Sequence, residues 1–228
     1  MSKNIVIIGA SRGIGRCIVE LLAKNSHFKI LALSRNIDLM EKSFKKYSNV
    51  KCFELDLNSK NVRSKCELIF SNYLNIDVLI NNAGLLIKKP LLELDRKNLE
   101  DSYNVNIISV IETVQAVVPR MKNGHIVNIS SIGGFQGSLK FPGLTSYSTS
   151  KAALCSFTEL FAEEYKETGI KMNCLCLGAV QTEMLEEAFS GYKAPISAEK
   201  MAEYIVEFAL NSNQWINGKI IPVSLSNP

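Results

Sequence analysis

Tyr147 and Lys151 stand four residues apart in Tyr147-Ser148-Thr149-Ser150-Lys151. On a helix that spacing stacks two side chains on one face, one turn apart. A phenol ordinarily titrates near pH ~10. An ammonium held beside it favours the phenolate and lowers that value, giving a proton donor or acceptor usable near neutrality. Many helices carry this spacing by chance, so its weight depends on what the rest of the chain places around it.

The second chemically suggestive segment is Gly9-Ala10-Ser11-Arg12-Gly13-Ile14-Gly15. It follows Asn4-Ile5-Val6-Ile7-Ile8, a β-branched run that reads as a strand buried on both faces. Arg16 to Asn25 then reads as a helix, with Cys17, Ile18, Leu21 and Leu22 as its apolar stripe. Strand, glycine turn and helix form the context of a dinucleotide site. Gly9 would make the tight turn, Gly13 would admit a pyrophosphate, and Gly15 would let helix and strand pack closely. The helix start would offer its N–H groups to phosphate oxygens.

The next strand, Lys29 to Leu33, ends in Ser34-Arg35. A site for NAD carries an acid here, holding the ribose 2′-hydroxyl; this chain has none. Arg35 and Arg12 are instead two guanidiniums able to clamp a 2′-phosphate. The expectation is NADP(H) rather than NAD(H).

With these motifs in place, the chain resembles the short-chain dehydrogenase/reductase family from Ile5 to about Val223. The glycine loop has that family's Gly-x-x-x-Gly-x-Gly spacing. The resemblance implies a single Rossmann-fold α/β domain over residues 1–228: a doubly wound parallel sheet of about seven strands with helices on both faces. It implies that Asp56-Leu57, after a strand from Lys51 to Leu55, contacts the adenine. It likewise places Asn82, Ala83 and Gly84, at the end of Asp77-Val78-Leu79-Ile80-Asn81, against the cofactor. Asn106, Ser131, Tyr147 and Lys151 match the family's catalytic tetrad. Between the adjacent Ser130 and Ser131, the family pattern and the alternation of an extended strand favour Ser131. Gly178, Val180 and Thr182 match the family's contacts to the nicotinamide carboxamide, after a strand from Lys171 to Cys176.

The implied mechanism gives Ser131 a hydrogen bond to the substrate oxygen and Tyr147 its proton. Lys151 would lower the tyrosine pKa and hold the nicotinamide ribose, and Asn106 would anchor a water feeding protons to Lys151. The expected activity is reduction of a ketone or aldehyde, or the reverse. The alternatives are a 3-oxoacyl-carrier-protein reductase, an NAD-dependent alcohol dehydrogenase, and a cofactor-binding regulator without turnover.

Three features depart from the family pattern. Leu177 replaces a proline before Gly178. The segment from Glu183 to Tyr192 is short, with Met184, Leu185, Phe189 and Tyr192 read either as substrate walls or as helix packing. The last strand, Ile216 to Val223, runs into Ser224-Leu225-Ser226 where the family often has Asp-Gly-Gly, which puts a tetramer in doubt. The loop from Phe135 to Thr145 carries Leu139, Phe141, Pro142 and Leu144 and suggests an apolar substrate side. Ser197 reads as an N-cap for a helix from Ala198 to Leu210.

At 228 residues the chain is long enough for one full core. The net charge of +4 is modest, no basic patch with interleaved aromatics suggests nucleic acid, and no apolar run reaches the ~18 residues of a membrane span. A strand beginning by residue 4 leaves no room for a signal peptide. Cys17, Cys52, Cys66, Cys155, Cys174 and Cys176 lack a Cys-x-x-Cys and read as buried filling in a reducing cytoplasm. His27 and His125 are both expected to be exposed, and with no His/Cys cluster a metal site is not expected. The expected partners are a small-molecule substrate and further copies of the chain, as homodimer or homotetramer. Pairing would use two long helices, Leu99 to Val118 and Ser148 to Thr168, and the stripe Val105, Ile108, Ile111 and Val114 would be either its contact face or core.

Overall fold

The run Ile5 to Ile8 forms the last four residues of strand β1 (Lys3–Ile8) and is buried on both faces. The computed structural model describes residues 2–225; Ser226 of the C-terminal departure lies outside them. Strands β2 (Phe28–Ser34), β3 (Val50–Glu54), β4 (Val78–Asn81), β5 (His125–Ser131), β6 (Lys171–Leu177) and β9 (Ile220–Val223) join β1 in one seven-stranded sheet of order β3-β2-β1-β4-β5-β6-β9. Every pairing is parallel, so each strand must return through a crossover on one face or the other. The apolar residues accordingly split into two large clusters. One packs α1 (Gly13–Ala23) and α8 (Ala198–Asn211) on one face. The other packs α3 (Val62–Phe70), α5 (Ser109–Val117) and α6 (Thr145–Glu164) on the opposite face.

The sheet order turns around between β1 and β4. From β1 the chain winds outward through β2 and β3, then crosses to β4 and winds the other way. At such a switch point the crossovers diverge and leave a crevice at the carboxyl ends of the strands. Gly9, Arg35, Asp56, Asn82 and Gly178 each lie just past a strand end on this edge, and Ser131 closes β5 there.

The helices and strands fall close to their expected places, with informative shifts. The first helix begins at Gly13, not Arg16, so the glycine motif itself forms its opening turn. The last strand begins at Ile220 rather than Ile216. The sixth runs on through Leu177, which pairs with Val223; leucine keeps the backbone N–H that proline would lack. Ser197 caps α8, accepting the Lys200 N–H at 3.3 Å. The expected helix from Leu99 to Val118 is α4 (Arg96–Tyr103) joined to α5 through a π turn at Asn104–Ile108. Of its apolar stripe, Val114 is buried and Val105 and Ile111 pack against the core, while Ile108 stays 47% exposed. A short helix α7 (Glu183–Ala188) and a small two-stranded ribbon of β7 (Val180–Gln181) and β8 (Ile196–Ser197) cover the carboxyl edge. No described helix is long and apolar enough to cross a membrane.

Two expectations fail. His125 is buried, not exposed. Its Nδ1 faces the Ala209 carbonyl at 3.0 Å and its Nε2 faces Asn173 Nδ2 at 3.0 Å. Strand β5 is central, so its first residue is already under α8. The cysteines are also not all scattered filling. Cys155 on α6 meets Cys174 and Cys176 on β6, a cluster that local spacing could not show because 19 residues separate Cys155 from Cys174. Cys17 and Cys52 are only partly buried.

Candidate active site

A cavity of about 700 Å³ opens along the carboxyl edge. It is lined by every residue expected to bind a cofactor or react, except Gly15 and Asn106, which lie behind its wall. Gly9 has φ +86°, and a Cβ there would sit 2.6 Å from the Ala83 Cα. A Cβ on Gly15 would come within 2.0 Å of the Gly9 carbonyl oxygen. The two glycines thus let the β1 turn, α1 and the segment after β4 interlock. Asn82 completes the contact, its Nδ2 donating to the Gly9 carbonyl at 2.9 Å. The first residues of α1 have no side-chain cap, and Gly13 and Ile14 line the cavity; helix starts of this kind are suited to anions.

At the far end Ser34 donates to Ser11 at 2.8 Å, and Arg35 lines the wall with no carboxylate at the end of β2. Arg12 lines it too, but both its guanidinium nitrogens reach Glu187 on α7, at 2.5 and 3.2 Å. This pairing holds Arg12 above its ordinary pKa and Glu187 below the usual carboxylate range. The clamp expected from Arg12 is therefore committed to α7 in this structure. The pair is exposed, and exchanging it for another anion costs little. Asp56 accepts the Asn58 N–H at 3.0 Å, and Asn58 in turn bonds Asp101 at 2.9 Å and Asn104 at 3.1 Å. This ties the β3 end to α4.

Helix α6 carries Tyr147 and Lys151 toward β5. Tyr147 and Ser131 both line the cavity, and Ser131 Oγ accepts the Gly133 N–H at 3.2 Å. Ser130 points away, donating to the Lys151 carbonyl at 2.8 Å, so the strand alternation separates the two serines as expected. Lys151 Nζ donates to the Ile129 carbonyl at 2.8 Å. Asn106 sits in the π turn. Its Oδ1 accepts the Leu85 N–H at 2.8 Å, and its Nδ2 donates to the Leu85 carbonyl at 2.9 Å and to Ser150 Oγ at 2.9 Å. Gly84 separates it from Lys151: a Cβ there would be 3.4 Å from Lys151 Nζ and 3.6 Å from Asn106 Oδ1. Sequence reasoning missed Ser150 and Leu85. The hydroxyl-rich run Ser148-Thr149-Ser150 between the tyrosine and lysine was the available signal.

The expected lowering of the tyrosine pKa does not appear here. Burial pushes the Tyr147 phenol above its ordinary value, and the neighbouring Ser131 hydroxyl only partly opposes it. Lys151 is itself pulled down to about 8 by burial. Removing the ammonium from water weakens its charged form, and its one hydrogen bond here goes to a backbone carbonyl.

Met184, Leu185, Phe189 and Tyr192 all line the cavity. Leu85, Leu86, Phe141 and Leu144 line it as well, while Leu139 is 70% exposed and is not part of the lining. Thr182 also caps α7, accepting the Leu185 N–H at 3.3 Å. Lys88 fastens the other end of that segment, donating to the Ala188 carbonyl at 3.1 Å with its ammonium 4.2 Å from the centre of the Phe189 ring.

The short chain dehydrogenase family profile matches residues 3–193. The chain belongs to that family. It is an oxidoreductase of the short-chain class, whose relatives work on carbonyl and alcohol groups. A diacetyl reductase of Staphylococcus epidermidis, named for forming (S)-acetoin, is 32% identical, with 97% of this chain and 96% of the relative covered. The 3-oxoacyl-[acyl-carrier-protein] reductase of Thermotoga maritima is 29% identical, with 97% and 96% covered. Among solved short-chain structures, ElxO with NADP bound superposes with a TM-score of 0.85 at 27% identity, covering 98% of each chain. A 4-hydroxyisoleucine dehydrogenase complexed with NADH superposes at 0.88 with 25% identity, covering 98% and 97%.

Proposed function

We propose that this chain is an NADP(H)-dependent reductase of a small, largely apolar ketone or aldehyde. The observation that carries the reading is that Ser131 and Tyr147 stand together on the cavity wall, with Lys151 one helical turn beyond the tyrosine. Such a pair can hold a carbonyl oxygen and give it a proton. The interlocked glycines and the uncapped start of α1 fit a dinucleotide, whose nicotinamide supplies hydride when bound. The relatives include complexes with both cofactors, so the preference rests on Arg35, Arg12 and the missing carboxylate after β2.

In this mechanism Ser131 orients the substrate oxygen and Tyr147 transfers its hydroxyl proton to it. A phenol raised by burial stays protonated at neutral pH and so is ready as the acid of the reductive direction. Lys151, brought down to about 8, can lose its own proton near neutrality and so return one to the phenolate. Asn106 holds Leu85 and Ser150 in place beside Lys151. The walls from Leu85, Phe141, Met184 and Phe189 exclude water from the reacting carbon. Leu99, Tyr103 and Ile108, exposed along α4 and the π turn, form the face through which we place pairing with a second copy.

The test is NADPH oxidation against ketones, aldehydes and 3-oxoacyl thioesters, with NADH in parallel. Turnover with NADPH on a small apolar carbonyl is expected, and Tyr147→Phe should abolish it while NADPH still binds. Full activity in that variant would overturn the mechanism.

A further inference from the structure

Cys155, Cys174 and Cys176 place their three sulfur atoms within 4.8 Å of one another. Cys155 Sγ lies 3.5 Å from Cys176 Sγ and 4.0 Å from Cys174 Sγ. These separations match the edge of a triangle of sulfurs around one ion, which for metal–sulfur bonds of ~2.3 Å is about 4 Å. Cys174 and Cys176 share one face of β6, two residues apart. Cys155 reaches them from α6, one turn beyond Lys151 and two beyond Tyr147. All three are buried, so no water competes for the sulfurs. Partly buried Phe135 and Ile220 pack over the cluster, so access needs two side chains to move and leaves the sheet intact.

We propose that this triad is a binding site for a single soft monovalent cation of the Cu(I) class. Thiolates select soft ions. Among the described residues no histidine or carboxylate joins the group, and Ser130 Oγ, 3.6 Å from Cys155 Sγ, is engaged with the Lys151 carbonyl. Zn(II) asks for a fourth ligand; a three-coordinate d¹⁰ ion does not. On binding, three S–H bonds ionise, three Cu–S bonds form, and the protons leave to solvent. Copper stays monovalent and no electron moves. The Lys151 ammonium, whose charge acts on Cys155, offsets part of the negative charge of the thiolates.

The test is anaerobic titration of the reduced full chain with Cu(I) against bicinchoninate, in a Cys17→Ser/Cys52→Ser background that removes the two partly exposed thiols. One equivalent should be retained. Cys155→Ser and Cys176→Ser should each weaken it by more than the roughly 10–100-fold typical of losing an outer-shell partner. X-ray absorption on the copper-loaded protein with all its cysteines intact should count three sulfur neighbours, a readout that does not depend on any variant folding. Absence of uptake, uptake unchanged by Cys155→Ser in a folded protein, a two-sulfur site, or Zn(II) displacing Cu(I) would each overturn the proposal.

Discussion

Asn106 brackets the main chain of Leu85, accepting its N–H at 2.8 Å and donating to its carbonyl at 2.9 Å. The bracket fixes the segment after β4 against the π turn, and Gly84 beside Lys151 is held in place by it. Asn106→Ala would leave these buried groups and Ser150 without their partner. We expect a loss of about 1–3 kcal/mol in unfolding free energy, read by urea denaturation, together with reduced turnover. An unchanged midpoint would show that the bracket contributes nothing to stability.

Glu187 competes with any 2′-phosphate for Arg12. Glu187→Gln should therefore tighten NADPH several-fold and leave NADH unchanged, measured by fluorescence titration of both cofactors. Arg35→Ala should do the reverse and weaken NADPH about tenfold or more, the scale of one lost charge-assisted contact. Equal changes for the two cofactors would remove the 2′-phosphate argument.

His125 gives a pH dependence of stability. Burial lowers it from 6.5 to about 4, because taking the imidazolium out of water disfavours its charged form; Lys3 adds to the shift and the Ala209 carbonyl partly opposes it. Between pH ~6.5 and ~4 the unfolded chain binds a proton that the folded chain refuses, so stability falls as pH drops through that window. The full effect is roughly 3 kcal/mol, on ~1.4 kcal/mol per unit. Urea midpoints from pH 7 to 4 should show it, and His125→Gln should flatten the slope. An equally steep slope in the variant would assign the acid lability elsewhere.

Gly15→Ala puts a methyl 2.0 Å from the Gly9 carbonyl oxygen. Backbone must move to admit it, so we expect a loss of cofactor binding together with lower thermal stability. Gly137→Ala serves as the comparison: it shares the glycine label and a positive φ, yet nothing lies within 4 Å of its added carbon. Any cost there is backbone strain alone. Equal cofactor loss in both would contradict the interlock.

The sequence alone disclosed what is local. The glycine turn, the Tyr147–Lys151 spacing and the alternation that separates Ser131 from Ser130 are each set within a few residues, and the structure brings all of them to the carboxyl edge of the sheet. What it hid is set by distance. His125 is buried by α8 and Asn173, more than 45 residues away along the chain. The cysteine triad needs α6 laid against β6. Arg12 looks free until α7 brings Glu187 over it, and the rise of the Tyr147 pKa follows from burial that no spacing encodes. The π turn at Asn104–Ile108 likewise has no local breaker to announce it.

The all-parallel sheet order has a kinetic consequence. No two neighbouring strands are joined by a hairpin, so none of the seven can zip from a local turn. The central β1–β4 pairing joins Ile5 to Val78, and that loop must close before either half of the sheet gains its middle. Closing long loops ahead of any reward is slow and leaves apolar strand edges exposed meanwhile. Refolding from denaturant should therefore be slow, with recovery falling as protein concentration rises, and it should quicken in variants that stabilise the β1–α1–β2 unit in isolation.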